Sequence, residues 1–132
     1  MSIPVLVQWH LATVVPAFGL GSWLLWRRKG DALHRWLGRV YALLMLGTAT
    51  ISLLIPASIG PVLFGHWGLI HLFSLLVWYE IPTAVLAARR GQIAVHRAKM
   101  RGVYIGALVV AGSLAFLPGR LLNQLAQQWL GF

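Results

Sequence analysis

The sequence predicts an all-α integral membrane protein, namely a four-helix bundle followed by a short amphipathic helix. Of the 132 residues, 59% are hydrophobic and only 10% are charged, whereas a soluble domain carries roughly 25% charged residues. The apolar residues also fall into four segments, each near the ~20 residues that a helix needs to cross the hydrocarbon of a bilayer. We therefore expect a single transmembrane domain over residues 1–132.

The boundaries of the four spans are set by charged residues and turn residues that interrupt the apolar sequence. The N-terminus has neither a basic region nor a clear cleavage site, so the first span is expected to stay in the mature protein. The link between the second and third spans, ASIGPVLFG, is short, uncharged and rich in turn residues. In chain order, the predicted spans are about Ile3–Trp26, Trp36–Pro56, Val62–Ala88 and Arg101–Leu117.

The last segment, GRLLNQLAQQWLGF, predicts a short amphipathic helix over about residues 119–132. Its leucine, alanine and tryptophan side chains share one helical face, while Arg120 and the amides take the other. A helix of this kind lies in the membrane interface, here on the outer side. The alternative is a simple extension of the fourth span. The residues of the apolar face are Leu121, Leu122, Leu125, Ala126 and Trp129.

The distribution of basic residues predicts the topology. The net charge is +9, and nearly all of the 11 Lys and Arg residues lie in segments 27–39 and 89–101. The positive-inside rule places both loops in the cytoplasm and both termini outside, in a bacterial inner membrane. This clustering leaves no soluble domain to bind nucleic acid. The chain has no cysteine, which excludes disulfides, thiolate metal sites and iron–sulfur clusters.

The strings HRWLGRVY and HRAKMRGVY stand before the second and fourth spans and indicate a tandem duplication. A shift of 61 residues brings His10 onto His71, and one inserted residue then brings His34 onto His96. The predicted repeats, each a helix, a basic loop and a helix, cover about residues 1–60 and 61–118. Further matches are Arg28 with Arg89, Lys29 with Arg90, Gly30 with Gly91, Arg35 with Arg97, Arg39 with Arg101, and Pro56 with Pro118.

Two histidines per repeat predict two histidine pairs. In an up-down-up-down bundle the first and third spans are diagonal, as are the second and fourth. His10 is therefore expected to meet His71, and His34 to meet His96. Two facing neutral imidazoles are the axial ligands of a six-coordinate haem b. The pairs would lie roughly 20–30 Å apart along the membrane normal, a spacing that suits electron transfer across the membrane.

The residues around the histidines fit haem binding. Thr13, Ala17 and Gly21 share a face with His10 and leave room for a macrocycle. The arginines Arg35, Arg39, Arg97 and Arg101 are expected to hold propionates or to neutralise buried charge. From His34, one stripe continues through Gly38, Tyr41, Met45, Thr48 and Ser52.

The paired histidines resemble those of the diheme transmembrane cytochromes b of the ascorbate-reducing type, in which alternate helices supply the ligands in pairs. Zinc and copper are less favoured, because the chain offers almost no carboxylate or thiolate ligands and few methionines. The alternative for each histidine is an interfacial or structural side chain without a ligand.

Glu80 is the only carboxylate expected at membrane depth, where a charge is costly unless it is paired. Arg39 and Arg101 are its candidate partners. One interpretation of Glu80 is a proton-relay or quinol-site residue. The other is a structural ion pair, or a contact with a partner protein.

Three further residues are singled out by pattern. Gly102 and Gly106 form a GxxxG pattern, which is typical of close helix contact within a bundle or between protomers. His66 has no partner in the repeat and is interpreted as an outer-interface residue beside Trp67.

Four strings resemble those of a bacterial family of four-helix inner-membrane proteins that has no assigned activity. They are HRWLGRVYALLML, GLIHLFSLL, HRAKMRGVY and PGRLL, and they cover the chain from about Gly30 to Leu122. The resemblance implies the fold, the location and the importance of His34, His71 and His96. It implies no activity.

Three functions follow as hypotheses. The first is a small b-type cytochrome that carries electrons, with a quinone as a further candidate cofactor or redox partner. The second is a cofactor-free accessory or assembly subunit of a larger membrane complex. The third is a small carrier or lipid-binding protein that uses the basic cytoplasmic face. None of these makes the protein an enzyme by itself. The lipid bilayer is the expected partner, and a homodimer and a larger complex are both left open.

Overall fold

The computed structural model describes residues 4–55, 62–63, 67–114 and 121–131, and this part of the chain is all-α apart from one short pair of strands. The pair is antiparallel, with Leu63 opposite Trp67. In chain order the elements are α1 (Val5–Trp26), α2 (Ala32–Leu54), β1 (Val62–Leu63), β2 (Trp67–Gly68), α3 (Leu69–Arg89), α4 (Ile93–Val103), a π-helix (Tyr104–Val110), α5 (Ala111–Leu114) and α6 (Leu121–Leu130).

Among the residues that the structure describes, three helical segments are long and apolar enough to cross a membrane: Val5–Trp26, Ala32–Leu54 and His71–Arg89. They correspond to the first three predicted spans. The fourth predicted span falls on a helical path made of α4, the π-helix and α5. Its backbone stays right-handed at both junctions, with φ and ψ of −60° and −48° at Tyr104 and of −64° and −37° at Ala111.

The turn between α1 and α2 is built around Asp31. Its carboxylate accepts two hydrogen bonds from Arg27, at 2.9 and 3.0 Å, and one from the backbone N–H of His34 at 2.8 Å. The side chain thereby caps the first turn of α2. Gly30 precedes it with φ of +89°, a conformation that glycine adopts without strain. The Arg27 hydrogen bonds, with that from His34, hold the pKa of Asp31 well below its ordinary value.

The turn between α3 and α4 also uses a left-handed glycine, Gly91, with φ of +75°. The N–H of Gln92 donates to the carbonyl of Ala87 at 2.8 Å, which satisfies one of the last carbonyls of α3. Gly91 is the predicted counterpart of Gly30, so the two basic turns have a left-handed glycine at matching positions.

Two predicted boundaries are wrong. The third span is predicted from Val62, but residues 62–63 and 67–68 are strands and the helix begins at Leu69. A short apolar run does not distinguish a strand from a helix by composition. The fourth span is predicted from Arg101, but α4 begins at Ile93. Its charged residues lower the hydropathy, yet lysine and arginine are good helix formers, and Arg97 and Arg101 lie exposed on this helix.

The helices pack with α1 against α2, α2 against α3, and α3 against α4, while the π-helix touches both α1 and α3. The core between them is small and apolar, and its most buried large side chains are Met45, Ile81 and Val103. Large apolar side chains are also exposed, as expected where helices face lipid: Trp23, Leu43 and Ile105 are each more than half exposed.

The predicted C-terminal helix is present as α6. Its side chains at 123–126 are partly buried, and those at 127–130 are exposed. Residues 115–120, which include the Pro118–Arg120 string, lie outside the described residues.

Candidate functional site

The predicted stripe on α2 forms the inner face of that helix. Tyr41, Met45 and Thr48 are each at most 5% exposed, and His34 and Ser52 are half-buried. On α1, Ala17 and Gly21 are buried on the face predicted from His10. Polar groups therefore line the interior of an otherwise apolar helix assembly, where each needs a hydrogen-bond partner.

His10 is bound to α2 through Thr48. Its Nδ1 lies 2.9 Å from the Thr48 hydroxyl and 3.2 Å from the Thr48 carbonyl. The same hydroxyl donates to the carbonyl of His10 at 3.3 Å, so Nδ1 carries the proton and donates. The Nε2 of His10 has no hydrogen-bond partner within the described parts of the chain.

His71 uses both of its ring nitrogens. The backbone N–H of Gly68 donates to Nδ1 at 3.0 Å, which leaves the ring proton on Nε2. Nε2 lies 2.8 Å from the carbonyl of Ile55 and donates to it. The ring is 3% exposed and meets the edge of Trp67, with centroids 5.1 Å apart. His71 thus links the start of α3 to the end of α2.

His10 and His71 are anchored at different levels of α2. His10 binds at Thr48 and His71 at Ile55, which lie two turns apart, or about 10 Å along the axis. The shared iron that the sequence predicts for this pair would require Nε2 of His71, which already donates to Ile55. The geometry of this pair therefore does not fit two axial ligands.

His34 and His96 lie near the first turns of α2 and α4, at the end of the molecule that has the basic turns. The Nδ1 of His96 lies 2.8 Å from the carbonyl of Ala84 on α3 and donates to it. The Nδ1 of His34 is buried and has no hydrogen-bond partner within the described chain. One of these rings is held in place, and the other has an unsatisfied polar atom.

A tyrosine cluster on the same inner face is missed by the sequence interpretation. A Cβ added to Gly21 would lie 2.8 Å from the ring of Tyr41 and 3.2 Å from that of Tyr104, so both rings pack on this glycine. Ser22 donates to the carbonyl of Phe18 at 2.8 Å, and Tyr104 therefore donates to Ser22 at 2.6 Å.

The hydroxyl of Tyr41 is buried without a hydrogen-bond partner among the described residues. The available signal was that both repeated strings end in a tyrosine, Tyr41 in the first and Tyr104 in the second.

Glu80 is paired with Lys99, not with Arg39 or Arg101, so the predicted partners are wrong. The Lys99 ammonium lies 3.4 and 3.5 Å from the two carboxylate oxygens and 4.8 Å from the ring centroid of Tyr79. The side chains of the pair are about one-fifth exposed. The pair joins α3 to α4, which supports the structural interpretation of Glu80.

The four arginines assigned to propionates are all exposed: Arg35, Arg39, Arg97 and Arg101. Within the described residues, none of their side chains forms an ion pair or a hydrogen bond. The structure therefore leaves them free to bind an anion outside the helix core.

The two glycines of the GxxxG pattern differ in how closely other side chains approach them. A Cβ on Gly106 would lie 3.5 Å from Leu76 of α3, whereas one on Gly102 would meet nothing within 4 Å. The π-helix begins between them, at Tyr104. Of the two glycines, only Gly106 therefore lies against a neighbouring helix.

These features define an integral membrane protein with apolar spanning helices and polar side chains on their inner faces. The chain belongs to the family of predicted membrane proteins DUF2306, whose model matches residues 7–127. The membership confirms the resemblance found in the sequence to a membrane family without an assigned activity. Neither the curated proteins nor the solved structures gave a match.

Within the described residues, no three His, Cys, Asp or Glu side chains converge as a metal site. His66 lies outside the described residues.

Proposed function

We propose that the protein is a small b-type cytochrome-like electron carrier that holds one haem between His34 and His96. The observation that carries the proposal is the hydrogen bond from Nδ1 of His96 to the carbonyl of Ala84 at 2.8 Å. Metal-binding histidines almost always donate their second nitrogen to such an acceptor, which fixes the ring and leaves the other nitrogen for the metal. His96 is therefore oriented as a ligand before any metal binds.

His34 supports the same site from α2. Its buried Nδ1 has no hydrogen-bond partner among the described residues, and a buried polar atom in that state is costly unless a ligand or a rearrangement satisfies it. Gly38 follows one turn later, and a Cβ there would meet nothing within 4 Å. The inner face of α2 thus offers open space beside His34 for a planar group.

A haem at this site would supply one-electron redox chemistry at its iron. His34 and His96 would hold the iron and Gly38 would leave room for the macrocycle. The pair His10 and His71 is not assigned a haem, because both nitrogens of His71 are bound to the backbone. The proposal is accordingly one haem per chain, with a quinol in the bilayer as the candidate electron donor.

The proposed architecture is a four-helix bundle of two tandem repeats, in which α4, the π-helix and α5 form the fourth span. Both basic turns are proposed to face the cytoplasm of a bacterium, with the termini outside. The left-handed glycines Gly30 and Gly91 at matching turn positions support the repeat. A reporter fused after Phe132 should give an outside signal, and an inside signal would reverse this topology.

The test of the haem site is a visible spectrum of full-length protein from haem-sufficient cells, air-oxidised and then reduced with dithionite. A sharp α-band on reduction and about one haem per chain are expected. His34→Ala and His96→Ala should each remove the bands, while His10→Ala should keep them. A colourless wild-type protein, or bands that survive in His96→Ala, would overturn the proposal.

A second candidate is a cofactor-free accessory subunit. His71 favours this candidate, because both of its ring nitrogens form hydrogen bonds with backbone groups of the same chain. The burial of His71 is thus explained without a ligand. A wild-type protein that inserts and folds without absorbing haem would favour this candidate. The third alternative is a small carrier or lipid-binding protein, which would use the exposed basic residues around the two turns.

A further inference from the structure

The basic end of the molecule has more positive charges than its own acids can neutralise. The whole chain has two carboxylate side chains, and both are engaged, Asp31 by Arg27 and Glu80 by Lys99. Eight other cations are exposed around the two turns and the first turns of α2 and α4. They are Arg28, Lys29, Arg35, Arg39, Arg89, Arg90, Arg97 and Arg101.

Four of these cations form two similar pairs. Arg35 and Arg39 are one turn apart on α2, and Arg97 and Arg101 are one turn apart on α4. Side chains spaced in this way start about 5–6 Å apart on the same face. Two like charges at that spacing repel each other, and a guanidinium presents a planar fork that binds phosphate oxygens in bidentate fashion. An anion held between the two side chains would relieve the repulsion.

The depth of the pairs indicates which anion is within reach. The 23 residues of α2 make a helix about 34 Å long, slightly longer than the ~30 Å of hydrocarbon in a bilayer. Arg35 is about 4.5 Å from the start of α2 along the axis, at the edge of the hydrocarbon. Arg39 lies one turn deeper, from where its long side chain can extend back to the headgroups. Trp36 on α2 and Trp26 at the end of α1 are 60% and 88% exposed, as expected of tryptophans at the membrane interface.

We propose that each arginine pair, Arg35 with Arg39 and Arg97 with Arg101, binds the phosphate of an anionic phospholipid in the cytoplasmic leaflet. The two sites are lipid-binding sites beyond the proposed electron transfer, and they do not depend on haem. Long arginine stems lie along the apolar helix surface while their charged ends reach the phosphates. The lipid supplies the negative charge that the sequence lacks at this end.

The experiment uses full-length protein in a mild non-ionic detergent, titrated with phosphatidylglycerol or with phosphatidylcholine while the unfolding temperature is followed. Phosphatidylglycerol should raise that temperature saturably, and phosphatidylcholine should not. The double variants R35Q/R39Q and R97Q/R101Q should each need about tenfold more phosphatidylglycerol, because two basic groups at an anionic surface are lost. All four side chains are exposed, so these variants should retain the helical content of the wild type.

The matched control is R28Q/R89Q, which removes the same charge from single positions in the turns and should need less than about threefold more lipid. If the control loses as much affinity as the paired variants, the pairs are not sites and only the diffuse surface charge matters. If phosphatidylcholine stabilises equally, charge is not what is recognised. If inorganic phosphate reproduces the stabilisation, the sites bind a free anion and the lipid assignment is wrong.

Discussion

His71 donates its Nε2 proton to the carbonyl of Ile55 at 2.8 Å, and this one bond joins the beginning of α3 to the end of α2. The same ring accepts from the N–H of Gly68 at 3.0 Å. A histidine that sequence patterning marks as a candidate metal ligand is thus a structural link between two helix ends. Its burial is explained by two backbone groups that would otherwise be unsatisfied at membrane depth.

Replacing His71 with phenylalanine should destabilise the protein, because the ring volume is kept while two backbone partners are lost. We expect a loss of about 2 kcal/mol in the free energy of unfolding, in the range for leaving buried polar groups unpaired. The measurement is unfolding in mixed detergent micelles, followed by circular dichroism. The neighbouring variant Leu72→Phe changes an exposed side chain and should have little effect. Equal stability of the two variants would contradict the structural role of His71.

The two tyrosines should respond in opposite directions to loss of the hydroxyl. Tyr104→Phe removes a hydrogen bond to Ser22 and should cost about 1 kcal/mol. Tyr41→Phe removes a buried hydroxyl that has no partner within the described part of the chain and should be neutral or stabilising by up to about 1 kcal/mol. The same micelle unfolding assay tests both variants. A destabilising Tyr41→Phe would show that its hydroxyl has a partner.

Gly21 should not accept even one methyl group. A Cβ there would approach the ring of Tyr41 to 2.8 Å and that of Tyr104 to 3.2 Å, and such overpacking typically costs about 1–3 kcal/mol. Gly19 is the control on the same helix, because a Cβ there meets nothing within 4 Å. Gly19→Ala should be neutral or stabilising by up to about 1 kcal/mol, since alanine favours a helix. If both substitutions have the same effect, the rings do not pack on Gly21.

The Asp31 turn should lose stability in acid. Because the folded-state pKa of Asp31 is below its ordinary value, the carboxylate stabilises the fold above about pH 4 and less as the pH falls toward the folded pKa. Asp31→Asn keeps a cap acceptor but removes the charge, so its unfolding temperature should change less than that of the wild type between pH 6 and pH 3. Parallel pH profiles of the two proteins would contradict the role of the Arg27 pair.

Much of the fold could be predicted from composition and periodicity. The apolar segments, the basic turns and the inner face of α2 depend on burial alone, which hydrophobic patterning reflects directly. The partners of single polar groups could not be predicted in this way. Glu80 pairs with Lys99 because α4 begins at Ile93, about two turns before the apolar run. Hydrophobic patterning does not reveal this helix start, because the first two turns of α4 contain charged residues.

The positions of the histidines were predictable in part for the same reason. His34 and His96 lie at the same end of the molecule because consecutive helices alternate in direction, so that α2 and α4 both begin there. That His71 is satisfied by the backbone depends on the strand pair before α3 and on the carbonyl of Ile55, neither of which a residue pattern encodes.

The π-helix from Tyr104 to Val110 widens the helical path without a loop or a break. Each of its hydrogen bonds spans one residue more than in an α-helix. The ring of Tyr104, at its first residue, packs on Gly21 of α1 together with the ring of Tyr41. The widened turns shift the rotational phase of the residues that follow, while the path keeps its contacts with α1 and α3.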